Sequence, residues 1–186
     1  MYEKGAAAIF LAAVFWWDVR KRKIPNKLLA AGAAAGAFFL AADGLEGQGP
    51  KEALELLASG FGVGMLVLFA GFWLWAARMI GAGDVKLAAV LAGWLGPGLG
   101  GKGIGLGMVL GAVWSLGKLI RQGNVLGPFL QLAAYGRECI REKKWKPYGR
   151  WKRDGQKAVI PLGACMALGT AIAAALPVFR EILYKI

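Results

Sequence analysis

Leu56 to Ala77 reads LLASGFGVGMLVLFAGFWLWAA, 22 consecutive residues without a charge. A helix rises about 1.5 Å per residue, so this stretch crosses a hydrocarbon core about 30 Å thick. A second uncharged run of the same length, 158 to 179, does so again. Four shorter apolar runs, 5–17, 28–42, 87–101 and 103–117, reach across only with their flanking residues or a thinned bilayer. The whole chain of 186 residues is 58% hydrophobic with a mean hydropathy of +0.51, too apolar for a soluble domain with a charged surface. The expected fold is all-α, a polytopic membrane bundle of about six helices near 3–18, 27–43, 54–77, 84–98, 103–119 and 158–178. One membrane-embedded domain, 1–186, accounts for the chain.

Net charge of +12 invites a nucleic-acid reading, but the basic residues gather between apolar runs, as Lys and Arg do on the cytoplasmic side of membrane proteins. With the N-terminus outside, the inner loops hold 18 of 23: five at 20–27, Arg78, Lys86 and eleven at 118–157. Membrane orientation explains the charge, and no nucleic-acid partner is expected. The acidic stretch from Asp43 to Glu55 fits an outer loop. Arg20 to Lys23 follow the first apolar run, which therefore reads as a retained helix and not a signal peptide. Trp16, Trp17, Trp73 and Trp75 fall near the inner ends of helices one and three, where amphipathic rings anchor at headgroup level. The polar stretch 118–157 is expected to lie on the cytoplasmic surface, with 124–136 interfacial or re-entrant and a second half suited to anionic lipid headgroups.

Glycines recur four residues apart at Gly32 and Gly36, at Gly60 and Gly64, and at Gly103, Gly107 and Gly111. Small residues at that spacing let membrane helices approach closely, so these are read as packing positions.

The chain has no His, and its only Ser and Thr are Ser59, Ser115 and Thr170, so Ser-His-Asp and Cys-His mechanisms are excluded. Cys139 and Cys165 build neither a zinc module nor a disulfide. What remains is a pair of carboxylates in costly places. Asp18 follows the first apolar run and Asp84 sits in Gly81-Ala82-Gly83-Asp84. A carboxylate near hydrocarbon costs several kcal/mol, roughly 2.5–3.5 at a helix centre, and is usually functional or paired. Two helices run out and back between them, so both return to one membrane face whichever way the chain is inserted. Two carboxylates sharing a site split their ionisation, so that one holds a proton while the other does not. The ionised member can take a proton from water attacking an amide, and the protonated member can donate to the carbonyl oxygen. That chemistry needs neither metal nor cofactor. Gly81 and Gly83 would give the backbone freedom and let an extended substrate approach. The structural alternatives are a helix N-cap for Asp84 and an ion pair with Arg20, Lys21 or Arg22 for Asp18.

Asp18-Val19-Arg20 with Lys23-Ile24-Pro25-Asn26, then Gly81-Ala82-Gly83-Asp84-Val85-Lys86-Leu87, resemble the two signature regions of type IV prepilin peptidases. Ile160-Pro161-Leu162-Gly163 with Gly169 is similar to their last helix. The resemblance implies a GxGD aspartyl protease that removes the short basic leader of type IV pilin-like precursors at the cytoplasmic face of the cell membrane. Asp18 and Asp84 would be its catalytic pair, and Gly81, Gly83, Lys86, Pro25 and Asn26 would shape the site. The chain lacks the CxxC-bearing insertion of the long, methylating members and in this is similar to the short peptidases of Flp/Tad-type pili and of archaeal preflagellins. The rival readings are an ion-coupled transporter, which predicts carboxylates near mid-bilayer, and a presenilin-like protease that cuts within a substrate's span.

Overall fold

The computed structural model describes residues 2–47, 49–77, 79–121 and 160–184, with isolated helical positions at 130, 134, 137 and 141. The described elements are all helical: α1 (Tyr2–Lys21), α2 (Asn26–Gly47), α3 (Pro50–Ala76), α4 (Ala82–Leu95), a wide π-type turn (Gly96–Gly100), α5 (Gly101–Arg121) and α6 (Leu162–Tyr184). Asn26–Gly47, Pro50–Ala76 and the run Ala82–Arg121 are long and apolar enough to cross a membrane. Large apolar side chains such as Phe61, Leu66, Phe69 and Val113 stand exposed on their outer faces, as lipid-facing residues do. The chain is an integral membrane protein.

The run Ala82–Arg121 is not one crossing. Gly96 takes φ of 70°, which only glycine adopts without strain, and Pro97 follows it. Gly100 then lies so close to the backbone of Leu91 and Ala92 that no Cβ would fit. The chain reverses there, and α5 returns alongside α6. Gly103 faces Thr170, Gly107 faces Met166 and Gly111 faces Leu162, an antiparallel register in which a side chain on any of the three would strike the partner. Gly32 against Phe10, Gly36 against Trp94, and Gly60 and Gly64 against α4 play the same part. The four-residue glycine spacing is thus helix packing, as expected.

The core is centred on α4. Val14, Leu87, Leu91 and Met166 are fully buried, and Phe10 and Phe39 pack on Trp94 with ring centroids 5.9 and 6.1 Å away. α4 is therefore enclosed by α1, α2, α3 and α6, while the others keep a lipid-facing side.

Three expectations need correction. The acidic outer loop from Asp43 to Glu55 is mostly helix: α2 continues to Gly47 and α3 starts at Pro50, whose ring suits the first helical position. Gly49, at φ 92°, leads directly into α3. Helix four ends at Leu95 and not near 98, because Gly96 breaks it. The last helix begins at Leu162 and not 158, since Ile160 and Pro161 precede it in non-helical form, and its apolar part runs Leu162–Leu176. Expectations for 124–157, Cys139 and Asp154 included, fall outside the described residues.

Candidate active site

α1 ends, α2 begins, α3 ends, α4 begins and α6 begins at one end of the bundle. Asp18 lies in the last turn of α1, 4% exposed. Asp84 lies in the first turn of α4, partly buried. Asp18 does not pair with Arg20 or Lys21. The Arg20 guanidinium sits over the Trp16 ring at 4.3 Å from its centroid and the Lys21 ammonium over Trp17 at 4.8 Å. Asp18 turns inward instead, and the backbone N–H of Ala164 donates a 2.8 Å hydrogen bond to its Oδ2.

Ala164 is the third residue of α6, so the bond satisfies one of the free N–H groups at a helix N-terminus and places the carboxylate at the positive end of the helix dipole. A charge-assisted bond of this kind contributes about 1.5–3 kcal/mol. Gly163, one residue earlier, also faces Asp18, since a Cβ there would stand 3.0 Å from its Oδ2, and it borders Ile24, the residue that Gly83 beside Asp84 faces as well. The start of α6 therefore lies beside Asp18 and one side chain away from the Asp84 turn.

Asp84 is not an N-cap. Gly81 occupies that position with no side-chain capping bond, and its carbonyl accepts from the N–H groups of Asp84 at 3.1 Å and Val85 at 3.2 Å. Backbone freedom is not what Gly81 supplies, because its φ of −69° is open to any residue. Space is. A Cβ there would stand 3.0 Å from Asp84 Oδ2, so the absent side chain leaves the carboxylate room to fold back over the turn. Gly83 has no positive φ either, and a Cβ would meet Ile24 at an ordinary 3.7 Å. Lys86 Nζ donates to Asn26 Oδ1 at 3.2 Å, which ties the first turn of α4 to the start of α2. Pro25 starts that corner: its carbonyl accepts from the N–H groups of Leu28 at 3.0 Å and Leu29 at 3.3 Å.

All seven residues expected from the sequence thus gather at one end of the bundle. A further group at that end, the backbone N–H of Ala164, comes from far along the chain. Gly163 also has no space for a side chain, since a Cβ would stand 2.6 Å from Ile24 Cδ1 and 3.0 Å from Asp18 Oδ2. Buried Cys165 follows directly and is unpaired. Among the described residues, no three His, Cys, Asp or Glu side chains gather as metal ligands would. Asp43 is exposed on α2 at the other end of the bundle.

An all-helical membrane protein with two carboxylates where helix ends meet is the class that fold and site define. Residues 6–116 match the model of the type IV leader peptidase family, and the chain belongs to that family. It is accordingly a membrane peptidase. No curated protein and no solved structure matches the chain.

Proposed function

We propose that this protein is an aspartic endopeptidase that removes the short basic leader from type IV pilin-like precursors at the cytoplasmic face of the cell membrane. Asp18 and Asp84 are its catalytic pair. The observation that most supports this reading is that Asp18, turned inward and held by the N–H of Ala164 at the start of α6, lies at the same end of the bundle as Asp84.

In the resting pair one carboxyl holds a proton and the other is ionised, because two adjacent negative charges in a partly desolvated site repel. Water enters between them. As its oxygen bonds to the carbon of the scissile amide, the ionised carboxylate takes a proton from it and the protonated partner gives its own to the carbonyl oxygen. The tetrahedral intermediate then collapses: its C–N bond breaks and the amine nitrogen takes a proton from one carboxyl. As the C=O bond re-forms, one of the two hydroxyls gives its proton to the carboxylate still ionised, which resets the pair. The Ala164 N–H holds Asp18 in one orientation throughout, and such fixed geometry is a large part of what an enzyme contributes.

The position of the pair at one end of the bundle argues against the transporter reading, which predicts carboxylates near mid-bilayer. It suits a substrate whose cleaved bond lies at the membrane surface, between a cytosolic leader and an apolar span. Anionic lipids would hold the basic surface of the protein against the same face. Incubating the reconstituted enzyme with a pilin-like precursor and weighing the products tests the reading. One cut at the boundary between leader and apolar segment is expected, and an intact precursor would refute it.

A further inference from the structure

One apolar side chain borders both halves of the site. A Cβ on Gly83, beside Asp84, would lie 3.7 Å from Ile24 Cβ. A Cβ on Gly163, beside the Ala164 N–H that holds Asp18, would lie 2.6 Å from Ile24 Cδ1. Resting on the function proposed above, we propose that Ile24 is a positioning residue for the cleavage: its side chain is the spacer that sets how far the Asp84 turn stands from the start of α6, and hence the gap across which the two carboxylates act on one water.

The chain builds this spacer from local geometry. At the end of α1, Arg22 takes φ of 49° and its N–H donates to the Asp18 carbonyl at 2.8 Å. A left-handed residue at that position ends a helix and redirects the chain. Residues 23–25 are non-helical, and Pro25 keeps the residue before it in extended backbone. Ile24 is therefore fixed between the end of α1 and the start of α2. Its neighbours Arg22, Lys23, Asn26 and Lys27 are exposed, whereas Ile24 is half-buried and packs against the core.

An isoleucine between two glycines is suited to fixing a distance. Its β-branch restricts χ1, so the direction from Cβ to Cδ1 is set. On both sides it meets backbone with no side chain in between, and packed backbone yields little. The Gly163 side is the tighter of the two, so Cδ1 is the atom that decides the spacing there.

The test uses the full-length protein in liposomes with a pilin-like precursor, as wild type, Ile24→Val, Ile24→Leu, Ile24→Ala and Leu11→Ala. Valine keeps the β-branch and drops Cδ1 alone, whereas leucine keeps the volume. Leu11 is a buried side chain of α1 about 10 Å along the helix from Asp18, so truncating it loosens the core away from the spacer. A misplacement of about 1 Å can cost 10²-fold in rate, so kcat should fall about 3- to 10-fold in Ile24→Val and about 10- to 100-fold in Ile24→Ala. KM should stay within about twofold of wild type, the signature of an interaction realised in the transition state. Ile24→Leu should keep kcat within about threefold, a rescue by volume. Leu11→Ala should lower the melting temperature at least as much as Ile24→Ala while holding kcat. Unchanged kcat in folded Ile24→Val and Ile24→Ala would overturn the spacer, as would an equal loss of kcat in Leu11→Ala. A raised KM with kcat unchanged would make Ile24 a substrate contact and overturn it too. Each of these leaves the peptidase reading intact. Failure of the wild type to cleave the precursor would overturn the peptidase reading, and the spacer with it.

Discussion

Replacing Gly163 by alanine is the sharpest probe of how the start of α6 serves the carboxylate pair. The new methyl group would lie 2.6 Å from Ile24 Cδ1 and 3.0 Å from Asp18 Oδ2, where ordinary contacts begin at 3.4 Å. The Ile24 contact is with the end of a flexible side chain, which can rotate away. The Asp18 contact is with a carboxylate held by the 2.8 Å bond from Ala164, so relieving it needs a shift of about 0.4 Å in the carboxylate or in α6. A misplacement of about 1 Å can cost 10²-fold in rate. Scaled to that shift, the expected loss is about 5- to 10-fold in kcat, or roughly 1–1.4 kcal/mol in activation free energy. Overpacking adds a stability cost of about 1–3 kcal/mol. The companion change Ile24→Ala removes one collision and not the other. The double variant should therefore regain thermal stability in detergent without regaining cleavage of a reconstituted precursor. Cleavage by folded Gly163→Ala within twofold of wild type would refute the reasoning, as would recovery of activity in the double variant.

Other expected outcomes probe separate links. Gly107→Ala drives a methyl into the backbone of Met166 and should lower the melting temperature sharply. Gly105→Ala, with nothing within 4 Å, should raise stability by about 0.5–1 kcal/mol through better helix propensity. Gly83→Ala meets only ordinary contacts, so its melting temperature should hold while precursor cleavage falls if the substrate passes over this turn. Lys86→Gln weakens the tether to Asn26 and should slow cleavage several-fold with stability changed by less than about 0.5 kcal/mol. A pair sharing one proton gives a bell-shaped pH profile of kcat/KM: activity falls at low pH when both carboxyls are protonated and at high pH when both are ionised. A profile that rises to a plateau would contradict proton sharing.

Much of this arrangement was legible in the residue order, for identifiable reasons. The out-and-back course of two apolar runs brings Asp18 and Asp84 to one end without any knowledge of packing. Four-residue glycine spacing marks the sides on which helices touch. Other features had no local signal. The Ala164 bond to Asp18 joins residues 146 apart in the chain, and no spacing rule reaches that far. Asp43, Glu46, Lys51, Glu52 and Glu55 read as loop by charge, yet Leu, Ala, Glu and Lys form helix readily and Pro50 suits a helix start, so local propensity carried both helices past the apolar boundary. Arg20 and Lys21 were natural partners for Asp18 by proximity. Burial of the carboxylate and the exposed rings of Trp16 and Trp17 drew them outward instead.

The central claim, that Asp18 and Asp84 together perform the cleavage, is tested most directly by Asp18→Asn and Asp84→Asn beside Asp43→Asn, each folded and inserted with precursor, with products read by mass. Asparagine keeps an oxygen that can accept the Ala164 N–H and caps helices as well as aspartate does. A merely structural Asp18 would therefore survive the change. The account predicts an intact leader with both Asp18→Asn and Asp84→Asn and normal removal with Asp43→Asn. Leader removal by either of the first two variants would contradict it.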